Sequence, residues 1–323
     1  MKRLILLIGL LFILSIISSV FGQATPAPVK PTVGILIFDN VQIIDYTGPY
    51  EVFAGRRYNV ITIAPEKKMI TTIGNMKVMP DYDFSDAPKL DVLVIPGGGI
   101  GGINNLEGVW KNAPLPMKDT PETTKWVQDK AAEARFVLSV CNGAFTLARA
   151  GLLENKLATT TMPFLSKLKE VSPTTTIVFD KRWTDNGKFL TSGGLSAGID
   201  AAFHVVEKME SRGRAQDAAL GMEYKWDDAG NYASFALARK YAMFGFEFEG
   251  ISLSREGDEN HWGNRWLITK PKTTAEILEV ANKSLSDSEK TMFGPVKVKW
   301  KNKIVPLTTL VCGVFLMKKV SHG

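Results

Sequence analysis

The chain has 323 residues, room for one large domain or for a domain with a smaller partner. Hydrophobic residues make up 45% and charged residues 22%, which is ordinary globular usage and argues against a disordered or fibrous chain. The +6 net charge is spread along the sequence, so no nucleic acid is expected as a partner, and two cysteines and three histidines argue against a disulfide framework and a His-rich metal site.

Residues 1–22 read as an export signal. Met1, Lys2 and Arg3 give a short positive start, residues 4–20 are apolar, and small residues precede a cut ahead of Gln23. The apolar run is long for a signal, so an anchor over residues 4–20, and with it attachment to a membrane, stays open. Either way the body is expected to be exported, periplasmic or extracellular. Residues 23–31 are Pro-rich and read as an extended spacer. Residues 33–38, 58–64, 91–95 and 135–140 are short continuous apolar runs, as in strands buried on both faces of a parallel sheet. Residues 174–179 and 188–191 read as two further strands, with a turn signal at Asp185-Asn186-Gly187 between them. Thr120 and Pro121 read as the N-cap and first residue of a helix reaching about Ala134. Residues 144–153 and 197–209 are also helical in pattern. Strands alternating with helices predict a doubly wound α/β sheet over residues 32–226.

Beyond Trp226 the character changes, and residues 227–323 read as an α+β extension of unknown role. Residues 232–248 are aromatic-rich and suit a helix. Residues 250–264 read as a polar loop, and 273–285 as a helix. Four alternating lysines over 297–303 suit a charged edge strand. Residues 304–317 are apolar but too short to span a bilayer as a helix, and they contain Pro306. A buried strand is expected there, with Cys312 in its core.

The sharpest chemical signal is Ser139-Val140-Cys141-Asn142-Gly143, placed after a buried strand and before a helix. This has the logic of a nucleophile elbow with cysteine as the nucleophile. The helix start would favour thiolate over thiol, while the alternative is a small buried apolar cysteine. Pro96-Gly97-Gly98-Gly99 ends another strand, where glycines let backbone approach a ligand and expose N–H groups. Ser192-Gly193-Gly194-Leu195-Ser196 ends a third. Three such turns at one sheet edge are what a ligand crevice needs. Asp45 lies among apolar residues, where burial would raise its pKa toward acid–base work. Capping the following helix is the simpler role for it.

Taken in order, these segments resemble the DJ-1/PfpI superfamily, in the branch that holds isonitrile hydratase and the sensor domains of AraC-type regulators. The carriers are residues 34–38, 44–53, 91–99, 139–145, 150–153, 158–160 and 191–200. The resemblance implies a flavodoxin-like sandwich, usually a homodimer, with a small-molecule substrate or ligand and neither metal nor organic cofactor. By position it makes Cys141 the nucleophile and Asp45 the carboxylate beside it. Backbone N–H groups of Gly98, Asn142 and Leu195 would line the pocket, bordered by Gly99, Gly193, Gly194 and Thr161.

Departures from the family pattern sharpen this expectation. Many relatives carry His where Thr161 stands, so no Cys–His pair is available at that position. His204 falls in a helix where packing is its expected role, and His261 and His322 lie outside the resembling region. Asn142 stands where many relatives have Thr. Residues 100–120 look longer than usual and read as a lid or as a surface insertion. The resulting expectation is a cysteine-dependent hydratase or hydrolase-like enzyme of the isonitrile hydratase type. Its alternative is a non-catalytic binding or sensor module, and carbonyl or peroxide chemistry ranks last.

Overall fold

The computed structural model describes residues 29–55, 57–99, 120–230, 233, 250–257, 262–268, 273, 275 and 276. The expected signal segment, the lid, the helix over 232–248, the lysine strand and the apolar run holding Cys312 lie outside the described residues, as do His261 and His322.

In chain order the strands begin with β1 (Thr32–Leu36), β2 (Asn59–Ala64), β3 (Ile70–Thr71), β4 (Lys77–Val78), β5 (Tyr82–Asp83) and β6 (Val92–Ile95). They continue with β7 (Phe136–Ser139), β8 (Leu157–Ala158), β9 (Thr176–Ile177), β10 (Trp183–Asn186) and β11 (Phe189–Ser192). The helices are α1 (Ile43–Phe53), α2 (Pro121–Glu133), α3 (Ala144–Arg149), α4 (Leu165–Val171), α5 (Ser196–Met209) and α6 (Arg212–Gly221).

Seven strands form the central sheet in the order β10-β11-β7-β6-β1-β2-β5. All neighbours run parallel except β10 and β11, which form an antiparallel hairpin at one edge. The apolar runs are continuous because helices cover both faces: Ile35, Leu93, Val94, Val137 and Leu138 are all fully buried. Each such side chain contributes about 1.5–3 kcal/mol relative to leaving it in water. α1, α5 and α6 pack together as one layer, and α2, α3 and α4 as the other.

Several boundaries match the sequence reading closely. Thr120 is the N-cap of α2, its hydroxyl accepting from Thr123 N–H at 3.1 Å, with Pro121 as the first helical residue. The loop expected over 250–264 is overturned for residues 250–257 and 262–264, which are strand. They contribute to an antiparallel pair, β12 (Gly250–Gly257) with β13 (Trp262–Ile268). Polar composition does not by itself exclude a strand, because the pairing is made by backbone N–H and C=O groups. Strand 174–179 is reduced to β9, two residues paired with β8 outside the main sheet. Farther on, Thr273 and Glu276 exchange capping-box hydrogen bonds, the Glu276 carboxylate accepting from Thr273 N–H at 2.6 Å.

From β1 the chain moves outward to β2 and then returns to β6 on the other side of β1. The order reverses there, and an open sheet of this kind leaves a crevice at the carboxyl ends of the strands.

Candidate active site

Four segments meet at that edge: the start of α1, the glycine turn after β6, the turn after β7 and residues 193–196 after β11. The first two are tied together. Val41 and Gly98 form an isolated antiparallel bridge, and Gln42 N–H donates to the Gly97 carbonyl at 2.9 Å.

Cys141 follows β7 with φ of 57°. A non-glycine residue in this region costs on the order of 1–3 kcal/mol and persists only when its surroundings hold it. Here Cys141 N–H donates to the Gly193 carbonyl at 3.1 Å, and Thr160 Oγ1 donates to the Cys141 carbonyl at 2.7 Å. A 3₁₀ turn, Cys141–Gly143, then runs into α3. Gly143 has no room for a side chain, since a Cβ would meet the Ile95 carbonyl and lie 2.9 Å from that of Pro96.

Asp45 sits in the first turn of α1, whose N-cap is Gln42, so it does not cap the helix. Its side chain is turned to the sheet edge and fully buried. Oδ1 accepts Leu195 N–H at 2.9 Å, Oδ2 accepts Gly97 N–H at 3.3 Å, and the Cys141 thiol completes the set. Burial raises its pKa to about 6, and these neutral donors offset only part of that rise.

Burial also pushes the Cys141 thiol well above its ordinary value, and the Asp45 charge adds to the effect. Hydrogen bonds from Asn142 N–H and the Thr161 hydroxyl oppose it without prevailing. Burial therefore favours the thiol over the thiolate, against the pull expected from the helix start. The helix is only six residues long, and desolvation of a buried sulfur outweighs its dipole.

Asn142 locks the glycine turn. Gly98 N–H donates to Asn142 Oδ1 and Asn142 Nδ2 donates to the Gly98 carbonyl, both at 2.8 Å. Of the three backbone N–H groups expected to face the pocket, only that of Asn142 points at the sulfur. Those of Gly98 and Leu195 are engaged by Asn142 and Asp45. Gly99 borders the site with φ of 70° and donates to the Asn40 carbonyl at 2.8 Å. Gly194 faces the thiol so closely that a Cβ there would lie 3.2 Å from Sγ and 3.4 Å from Thr161 Oγ1. Gly193 joins the elbow to β10, donating to the Arg182 carbonyl at 2.9 Å. Leu195 adopts φ 57°, ψ −119°, and its residue is 49% exposed at the rim.

His204 is engaged elsewhere, stacked on Trp183 and bonded to Asp185 and Glu207. Sequence reasoning missed Thr160, which shows only as one of three consecutive threonines. It also gave Gly97 no role of its own, although a Cβ there would lie 2.6 Å from Cys141 Cβ and 2.8 Å from Asp45 Oδ2. The assembled site offers one sulfur nucleophile and one carboxyl able to hold or release a proton near neutral pH.

Comparisons with known proteins agree with this fold. An isonitrile hydratase from Pseudomonas putida is 32% identical over 194 residues, covering 59% of this chain and 78% of that one. The HTH-type transcriptional regulator GbdR of Pseudomonas aeruginosa is 24% identical, and the match covers 58% of this chain but only 49% of the regulator. Among solved structures, a ThiJ/PfpI family protein from Pseudomonas syringae superposes with a TM-score of 0.51 at 22% identity, covering 64% of this chain and 84% of its own. The DJ-1/PfpI family model matches residues 31–208, more than half of the sequence and all four segments of the site, so the chain belongs to the DJ-1/PfpI family.

Proposed function

We propose that this protein hydrates a small isonitrile through Cys141 and Asp45. The observation that carries the reading is the buried carboxyl of Asp45, hydrogen-bonded to the thiol, with burial raising its pKa to about 6. A group with its pKa near the working pH both accepts and returns a proton efficiently. Asp45 takes the thiol proton as the sulfur attacks the terminal carbon of the isonitrile, forming the C–S bond. The same proton then passes from Asp45 to that carbon, giving a thioimidate. Water adds to the carbon and leaves a proton on nitrogen. Collapse breaks the C–S bond, returns the thiol and releases an N-substituted formamide, so the sum is isonitrile plus water. The first step builds no negative oxygen, which suits a site whose Gly98 and Leu195 N–H groups are already engaged. Similarity to an isonitrile hydratase supports the same reading.

The test is formamide formation from a panel of small isonitriles, followed by mass spectrometry. Turnover that disappears in Cys141→Ser and falls in Asp45→Asn is the expected result. Turnover unchanged in Cys141→Ser overturns the reading. A second reading, a sensor module that binds an unaltered small molecule, is favoured by the suppressed ionisation of Cys141 and by the similarity to a transcriptional regulator. It predicts saturable binding without product.

A further inference from the structure

The turn that delivers Leu195 N–H to Asp45 is gripped from outside the site by one side chain. Arg182, at the entrance to β10, is largely buried, with its side chain 15% exposed. Its Nε and Nη2 both reach Asp200 Oδ2, and Nη2 also donates to Ser196 Oγ at 3.1 Å. Ser196 and Asp200 stand one turn apart on α5, so the guanidinium clamps the first turn of that helix. The backbone of the same residue holds the other end, since its carbonyl accepts Gly193 N–H at 2.9 Å. Residues 193–196 are thus fixed on both sides by Arg182.

Asp200 is itself prevented from turning away. Its Oδ1 accepts Asp227 N–H at 3.1 Å, and its carbonyl accepts Trp226 Nε1–H at 3.1 Å. Tyr224 adds a hydrogen bond from its hydroxyl to the Ser196 carbonyl at 3.3 Å. Such bracing has a purpose at Leu195, whose dihedrals are unfavourable for any residue with a side chain. Left unheld, the turn would relax and carry its N–H away from Asp45.

We propose that Arg182 is a positioning residue: by gripping Ser196 and Asp200 it keeps Leu195 N–H on Asp45 Oδ1 and so sets the proton affinity of the acid–base group. The inference rests on the proposed role of Asp45, but its readout does not require turnover. The titratable group facing Asp45 is Cys141; its other two partners are the backbone amides of Leu195 and Gly97.

The experiment is a carboxyl titration of the full chain by NMR with 13C-labelled aspartate, Asp45 being assigned by its absence in Asp45→Asn. Removing Arg182 alone strands the buried Asp200 charge and threatens the fold. The informative variants are therefore Arg182→Met combined with Asp200→Leu, and Ser196→Ala, which loses only the contact at the exposed helix start. Loss of a hydrogen bond to the ionised form raises a carboxyl pKa, so the Asp45 midpoint is expected to rise by about one pH unit in the double variant and by less in Ser196→Ala. A midpoint at the parental value in both variants overturns the proposal. If the parent turns over no isonitrile and the midpoint still moves, the positioning role stands and the functional reading fails. If turnover is present and the midpoint stays fixed, the reverse holds.

Discussion

Asp45 and Asp185 are both carboxylates of one domain, both in part withdrawn from water, yet they depart from the ordinary value in opposite directions. Asp45 is raised to about 6 and Asp185 is lowered to about 2. Burial pushes each of them up. At Asp185 it is overcome by His204 at 3.0 Å, by both carboxylate oxygens receiving Lys208 Nζ at 2.6 and 2.7 Å, and by Gly187 N–H. At Asp45 the partners are two backbone amides and a thiol, and neutral donors do not recover the charge's lost hydration. The difference lies in the cation. A carboxylate with a lysine becomes a fixed structural charge, and one without becomes a group that can exchange a proton at neutral pH.

Four experiments break or sharpen that contrast. The largest effect belongs to Asp45→Asn, which removes the exchangeable proton and is expected to lower isonitrile turnover by about 10²–10⁴-fold. The same variant alkylates faster at Cys141 near neutral pH, because the carboxylate no longer opposes the thiolate. Slower alkylation, read by peptide mass, would contradict the pairing. Next comes Gly97→Ala, whose Cβ forces Cys141 and Asp45 apart; turnover is expected to fall by about 10²-fold. Circular dichroism on the same sample checks that the fold is intact.

Stability against pH separates the two carboxylates by sign. Because the folded pKa of Asp45 is raised, its contribution is fully present below about 3.8 and is lost as pH rises through about 6. Between those values the parent should lose about 2–3 kcal/mol relative to Asp45→Asn in guanidinium unfolding. The folded pKa of Asp185 is depressed, so its contribution is present above about 3.8 and lost as pH falls through about 2. Its side chain is 23% exposed, and after allowance for solvent screening Asp185→Asn should cost about 1–2 kcal/mol at pH 7, with the gap closing in acid. Parallel pH slopes for the two variants would refute the contrast. The smallest effect is that of Lys208→Met, which should cost about 1 kcal/mol in the same unfolding assay and leave Cys141 alkylation untouched.

Much of this was legible in the chain itself. The parallel sheet could be read from apolar runs, since a strand buried on both faces needs no alternation, and α2 could be read from Thr120 and Pro121. The start of the first helix was not: a helix was expected after Asp45 as its cap, whereas it begins at Ile43 and holds Thr47, Gly48 and Pro49, all poor helix formers, inside it. At the site, Cys141 stood out by position and company, whereas Asp45 read as a helix cap and only the family resemblance set it beside the cysteine. The state of the sulfur was not legible, because it depends on burial, which only the packed sheet edge creates. Arg182 escaped notice for a related reason. Its partners Ser196 and Asp200 are distant in sequence, and a lone arginine beside a strand carries no local signature.

Leu195 carries a lesson for anyone wishing to improve this protein. Its residue is half exposed, so its side chain returns little packing for the unfavourable dihedrals it imposes. Replacement by glycine should raise the melting temperature, as is common where function holds a chain away from its stability optimum. The same change would loosen the one amide that fixes Asp45 from the far side of the crevice. A library screened for heat resistance alone would thus tend to accumulate stable scaffolds with a drifting acid, and selection on the work of the site itself would be needed to keep the leucine.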